Sequence, residues 1–409
     1  IVGLLASDIL DALDVTSKQN IKRAPTENLL AYELYIKGKQ MYLTRQNMDD
    51  TNNAVDMLNK AIDLDPDLIE AKIQIGWYYY NEGNFQKAKD IFLDCFEKSK
   101  ENDNQVMMAA SLKNLGNIEY AKGKKGSEAA MNFYKQSVEI SKAIGDKNIL
   151  WRTLHNIGLI YSRQGNQHLY FDYSNQALEI CRDLQDKRGI AGQLNSLGSY
   201  YQSQNQYDQA VIKLQESMEY SLDIGDASRV AQSQNSIAQI YFLTGKFEEA
   251  EELYLSAIQI REDLSLKEKL SYSCYGLGVL YNDLGMWDEA IIYYKKSLQI
   301  DTELGFREDN LSTLGEIGIC YAKLGEFDRG YRYLKEPLDY YKDLCNVKST
   351  ISDNTVDIFE QYYWSLNQMV MYYEITDNLP LALQYSSETV GLLETMLASK
   401  NIYVDDDFK

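Results

Sequence analysis

Residues 277–290 read Leu277-Gly278-Val279-Leu280-Tyr281-Asn282-Asp283-Leu284-Gly285-Met286-Trp287-Asp288-Glu289-Ala290. Five of these residues make a phrase: small Gly278, aromatic Tyr281, then Gly285, aromatic Trp287 and small Ala290. The phrase recurs as Gly76…Tyr79…Gly83…Phe85…Ala88 and as Gly198…Tyr201…Asn205…Tyr207…Ala210. It returns as Ala238…Tyr241…Gly245…Phe247…Ala250 and as Gly318…Tyr321…Gly325…Phe327…Gly330. The opening residue falls at 38, 76, 116, 158, 198, 238, 278, 318 and, in degenerate form, at Val370. Four consecutive steps of 40 residues separate 158 from 318. A fixed period of this length is the signature of a stacked array.

Each place in the phrase has a mechanical reason. Apolar residues three and four apart define one buried helix stripe. Small residues at the first and last places let two antiparallel helices cross closely. The glycine between them supplies a left-handed cap, which asparagine also tolerates, so Asn205 can replace it. The next aromatic packs back over the turn. Second helices then run to stops such as Ile144-Gly145-Asp146 and Ile224-Gly225-Asp226, where each Asp is expected to cap the following helix. One pair cannot bury its apolar face alone, so neighbours must stack. The 33 tyrosines are read chiefly as packing residues of this array. The expected fold is all-α, with about nine antiparallel helix pairs.

Several units depart from the pattern. The first, around Gly38, Ala54, Leu58, Ala61 and Pro66, has a longer interhelix turn. In the fourth, Tyr170 stands where Ala is expected and Ser174 where an aromatic is expected, an exchange that should shift that pair. The eighth carries Pro337 inside its second helix, where a kink is expected. The expected division is a tail or linker over 1–24, the array over 25–344, an insertion over 345–357, a degenerate pair over 358–397 and an acidic tail over 398–409, whose Asp405-Asp406-Asp407 is expected to be unstructured.

Composition excludes several classes. Of 409 residues, 45% are hydrophobic and 25% charged, which is globular. The formal charge of −20 argues against a sequence-blind nucleic-acid binder, because a polyanion would be repelled. Five single cysteines without a CxxC pair point to buried free thiols in a reducing, cytoplasmic setting. No apolar run approaches the ~20 residues of a membrane span. The sequence has no HExxH and no GxSxG. Gly123-Lys124-Lys125-Gly126-Ser127 lacks the GxxxxGK[ST] order and reads as an enlarged turn. His155 and His168, the two histidines, lack companion ligands. No enzyme activity, metal or cofactor is expected.

The repeat phrases resemble the tetratricopeptide repeat, over about residues 31–397. The resemblance implies a right-handed superhelical solenoid, and the 40-residue spacing is similar to that of peptide-binding scaffolds and bacterial peptide-sensing regulators. Asp8-Ile9-Leu10-Asp11-Ala12-Leu13, followed by Arg23-Ala24-Pro25-Thr26-Glu27-Asn28 and Ala31–Gly38, resembles a second feature. It looks like the junction between a TolB-like domain and its repeat array in bacterial multidomain adenylate cyclases, kinases and transcriptional regulators. That resemblance makes residues 1–24 the tail of an upstream domain.

In this repeat the first helix of each pair lines the concave face, six and three residues before the opening small residue and one and four after. These places hold Lys113, Asn117 and Tyr120, then Arg152 and His155, with Arg163 nearby. They continue as Asn195, Ser199 and Gln202, then Gln232, Asn235 and Gln239. Such a polar shelf suits an extended peptide backbone. Between Lys113 and Arg163 nine basic residues face four acidic ones, a local charge of +5 in an acidic chain. The expected partner is therefore a protein or an extended peptide, preferably acidic, bound by the third to sixth units; neither nucleic acid nor membrane is expected. Lys113, Asn117 and Asn156 match three places of the clamp by which related domains grip a chaperone's terminal carboxylate. Gly192 and Ser196 replace its remaining two cations, so the clamp is incomplete. The alternatives are a homodimer, docking onto an upstream domain, and a small-peptide receptor with a tight pocket.

Overall fold

Each quoted phrase folds as the end of one helix, a left-handed turn and the start of a second helix. This is the arrangement in the computed structural model, which describes residues 25–44, 48–348 and 356–406. Among the described residues there are eighteen α-helices, one short 3-10 turn at Gly123–Gly126, and no strand. The chain divides into two compact units, residues 1–200 and 201–409. The first holds α1 (Leu29–Thr44), α2 (Met48–Leu64), α3 (Ile69–Asn81), α4 (Phe85–Glu101), α5 (Gln105–Tyr120) and α6 (Ser127–Ile144). It also holds α7 (Lys147–Arg163), α8 (Gln167–Asp183) and all but the end of α9 (Lys187–Ser203).

The second unit holds α10 (Tyr207–Asp223), α11 (Ala227–Leu243), α12 (Phe247–Asp263), α13 (Lys267–Asp283) and α14 (Trp287–Leu304). Then come α15 (Arg307–Lys323), α16 (Phe327–Lys348), α17 (Val356–Ile375) and α18 (Leu379–Asp406). Odd-numbered helices open each pair and even-numbered helices close it. Consecutive helices pack from α1 to α8 and from α10 to α18. Each opening helix also touches the next one at α1–α3, α3–α5, α5–α7, α11–α13 and α15–α17. The core is thus a chain of local clusters, such as Ala88, Phe92, Cys95, Leu115 and Ile118 joining the second and third pairs.

At Gly76, Gly116, Gly278 and Gly318 the small opening residue faces the eighth residue of the second helix. A Cβ on Gly76 would lie 2.4 Å from the Phe92 ring, and one on Gly116 would lie 2.3 Å from the Tyr134 ring. At Gly278 it would come within 2.7 Å of Tyr294, which is fully buried. The fourth pair shows why its exchange is compensated. Ser174 leaves Gly158 uncrowded, with the nearest atom 3.4 Å from a would-be Cβ, and Tyr170 fills the space. The Tyr170 hydroxyl donates to the Ser196 carbonyl at 3.0 Å, tying the pair to α9.

Turn chemistry matches the expectation. Gly83, Gly245, Gly285 and Gly325 have φ between 73° and 80°, and Asn205 takes the same place at φ 57°. Asp146 and Asp226 cap α7 and α11, accepting from the Ile149 and Arg229 amides at 2.8 and 3.2 Å. All five cysteines are free and buried, and burial pushes their thiols up to about 11 or 12.

Two boundaries differ from the expected division. Helix α16 contains Pro337 yet continues to Lys348, four residues into the stretch read as an insertion, and α17 begins at Val356. The reason is visible at Leu334, Leu338, Tyr341 and Cys345, whose 4-3-4 spacing keeps one buried stripe on α16. Helix α18 likewise continues through Asp405 to Asp406, where an unstructured acidic tail was expected. Residues 1–24, with the stretch resembling the TolB-like junction, lie outside the described residues.

Candidate functional site

The expected first-helix residues of the 1–200 unit fall on α5, α7 and α9, in three groups with different duties. Lys113 is partly buried, and its Nζ lies 6.0 Å from the Trp77 ring centroid. No hydrogen bond or ion pair reaches it among the described residues. Burial, reinforced by the positive charge of Arg152, lowers its pKa to about 8. The Arg152 guanidinium lies over the Trp151 ring at 4.4 Å and makes a long ion pair with Asp186, at 4.0 Å, while half-exposed. Two cations thus stand near each other on first helices, and the weak counter-ion, Asp186, pairs with Arg152 alone. An incoming carboxylate would gain Coulomb energy from both.

The second group is internal. Asn117 Oδ1 accepts from the Tyr134 hydroxyl at 2.6 Å and from Asn156 Nδ2 at 2.8 Å. This acceptor therefore links pairs three and four and is already occupied. Arg163 donates to the Tyr120 carbonyl at 2.7 Å, its guanidinium 3.6 Å from the Tyr120 ring centroid. It closes the C-terminus of α5, where helix carbonyls lack intrahelical partners. The third group is a polar shelf. His155 Nδ1 lies 3.2 Å from Gln193 Oε1, Ser199 Oγ donates to the Asn195 carbonyl at 3.2 Å, and the buried Asn195 Oδ1 has no partner among the described residues.

The wider basic island does not act as one patch. Lys122 and Lys89 both bind Glu119, at 2.6 and 2.8 Å. Burial opposes the charge of Glu119, yet these two hydrogen bonds hold its carboxyl below the usual range. Lys147 pairs with Asp183 at 3.1 Å. Lys124 and Lys125 sit in the 3-10 turn, and Lys135 and Lys142 on second helix α6. Lys113 and Arg152 are what the first-helix face retains.

In the 201–409 unit, Gln202 Nε2 donates to Gln239 Oε1 at 3.0 Å, joining two shelf residues. Gln232 and Asn235 open onto a cavity of about 560 Å³ whose walls also include Tyr272, Tyr275, Phe306 and Arg261. Asn235 is not the free hand expected for a peptide backbone. It is buried, and its Oδ1 accepts from Ser273 Oγ at 2.6 Å and from Arg261 Nη1 at 3.3 Å. Tyr272, Tyr275 and Ser312 were missed although they obey the same spacing, six and three before Gly278 and six before Gly318. Extending the count by two pairs would have found them. Among the described residues no three His, Cys, Asp or Glu side chains group as metal ligands, and no helix is long and apolar enough to cross a membrane.

Tetratricopeptide-repeat profiles match residues 189–263 and 271–342, and residues 43–68 and 69–101, together half of the chain. A search of curated proteins gives no match. Among solved structures, the apo form of the quorum sensor NprR from B. thuringiensis is similar with a TM-score of 0.60 and 15% identity. The likeness covers 88% of this chain and 98% of that one. A Rap protein complexed with competence and sporulation factor gives a TM-score of 0.56 at 15% identity, over 90% of this chain and 99% of that one. A signal transduction ATPase with a tetratricopeptide repeat sensor, from Pyrococcus horikoshii, gives 0.59 at 14% identity, over 90% of this chain and 55% of that one. At these identities the likeness is one of fold. With its period, its caps and its close helix crossings, the chain belongs to the tetratricopeptide-repeat family.

Proposed function

We propose that this chain is a protein- or peptide-binding regulatory module and that it captures an acidic segment on first helices α5 and α7. The observation that carries the reading is Lys113: a partly buried cation beside Arg152, without an anion of its own among the described residues. Similar folds in a quorum sensor and in a Rap protein complexed with a factor support a role in regulation. The resemblance of the N-terminal stretch to a TolB-like junction supports a place within a larger bacterial signalling protein, in the cytoplasm. The test is anisotropy of a labelled acidic peptide. Binding should weaken with salt, and Lys113→Glu with Arg152→Glu should abolish it at unchanged helicity. Undiminished binding by the double variant would reject the site.

One observation favours a second reading, self-association. On α18, Leu379, Leu383, Val390 and Leu393 are exposed by 60%, 70%, 52% and 37%, at spacings that place them on one helix face. Light scattering over a concentration series separates the readings, since a module that only binds peptide stays monomeric.

A further inference from the structure

The fifteenth residue of seven successive second helices occupies one register. It is Ser99 in α4, Ser141 in α6, Cys181 in α8, Ser221 in α10, Arg261 in α12, Asp301 in α14 and Tyr341 in α16. All seven are buried, none more than 5% exposed. Four are small, and Ser99 and Ser221 simply return their hydroxyls to the carbonyl four residues back, at 2.6 and 2.7 Å. The repeat therefore needs nothing larger here. In the sixth pair the position carries a guanidinium, and that side chain lines the 560 Å³ cavity.

Arg261 is 3% exposed and has no carboxylate within ion-pair reach among the described residues. Its partners are all neutral: Asn235 Oδ1 at 3.3 Å, the Lys269 carbonyl at 2.6 Å, Ser273 Oγ, and the Ala231 carbonyl at 3.5 Å. Nη1 makes three of these contacts, Nη2 only the long one, and Nε has no partner among the described residues. Nε is itself buried, so the Nε–Nη2 edge, the side of arginine that can hold a carboxylate with two parallel hydrogen bonds, keeps capacity the fold does not use and would turn toward the cavity to meet a ligand. A buried charge without a counter-ion is costly, and a ligand anion would offset that cost.

We propose that this cavity is a second ligand site, which takes the carboxylate of a short peptide with Arg261 as its counter-ion. The volume lies in the range of small-ligand pockets, and Tyr272, Tyr275 and Phe306 supply apolar wall beside the charge. Glu268, Asp301 and Lys269 also line the cavity, two acids and one further base. Their charge disfavours a doubly charged phosphate and leaves room for a single carboxylate. The site lies in the 201–409 unit and does not depend on Lys113 or Arg152.

Saturation-transfer NMR with the full chain tests it, in the Lys113→Glu, Arg152→Glu background so that the α5–α7 face contributes nothing. The probes are Ala-Ala-Phe with a free carboxylate, the same peptide as its amide, and acetyl-Ala-Glu-Phe-amide against its Gln counterpart. At least one carboxylate probe should bind tenfold or more tighter than its neutral partner; the first pair reports a terminal carboxylate and the second a side chain. Arg261→Ser, which installs the residue used in α10, should erase that preference while thermal unfolding shows the chain still folded. Arg261→Lys should lose most of it, because the two-pronged edge is gone. Equal binding of charged and neutral probes by the unsubstituted Arg261 chain would overturn the proposal without any variant. A preference that survives in Arg261→Ser would overturn it as well.

Discussion

At the scale of single residues, one contact decides whether the repeat tolerates a side chain at its opening position. Gly278 faces the buried Tyr294 ring at 2.7 Å from where a Cβ would lie, so Gly278→Ala should destabilise by about 1–3 kcal/mol. Gly158 faces nothing closer than 3.4 Å, so Gly158→Ala should be neutral or stabilise by up to about 1 kcal/mol through helix propensity. Urea unfolding of the two variants checks the contrast. The sequence made the small residue legible but not its severity, because severity depends on which ring the second helix aims at it. Lys113 gives a second residue-scale prediction. Its pKa is lowered to about 8, so affinity for an acidic peptide should fall as pH rises through about 8. In Lys113→Arg, which stays charged, that fall should vanish. The free chain should move the opposite way, gaining stability from about pH 8 toward the ordinary lysine value of 10.5. In that window the unfolded chain still holds the proton that the folded chain has released.

At the scale of the element, turns and helix ends carry the argument. Asn205 sits at φ 57°, where β-branched residues are strained, and its Oδ1 accepts from the Tyr207 hydroxyl at 3.0 Å. Asn205→Val should therefore cost about 1–2 kcal/mol, and Asn205→Gly should cost little, as thermal unfolding would show. These caps were legible because local backbone chemistry fixes them. The end of α16 was not, for the opposite reason. Pro337 and a cysteine-to-aspartate stretch read locally as breaks, yet the stripe Leu334, Leu338, Tyr341 and Cys345 is buried, and that burial carries α16 to Lys348. Tertiary packing overrode the local signal. The first-helix positions were legible as places, and the duties of their side chains were not. Asn117, Asn156, Arg163 and Asn235 look free in the sequence and are engaged across helices in the fold.

For the whole molecule, stability is a sum of neighbour contacts, because each helix packs chiefly on the ones before and after it in its unit. Gly278→Leu should thus loosen hydrogen exchange most in α13 and α14 and less in more distant pairs, whereas uniform loosening would contradict a nearest-neighbour array. Function at this scale rests on charge placed against charge. The chain is −20 overall, yet Lys113 and Arg152 present cations on opening helices while Lys122 and Lys147 are consumed by pairing. The most direct measurement is hydrogen exchange of the full chain with and without a saturating acidic peptide, read helix by helix. Capture by the first-helix face predicts added protection in α5 and α7, with second helices α6 and α8 unchanged. Protection confined to α6 and α8, or none at all under saturation, would contradict it.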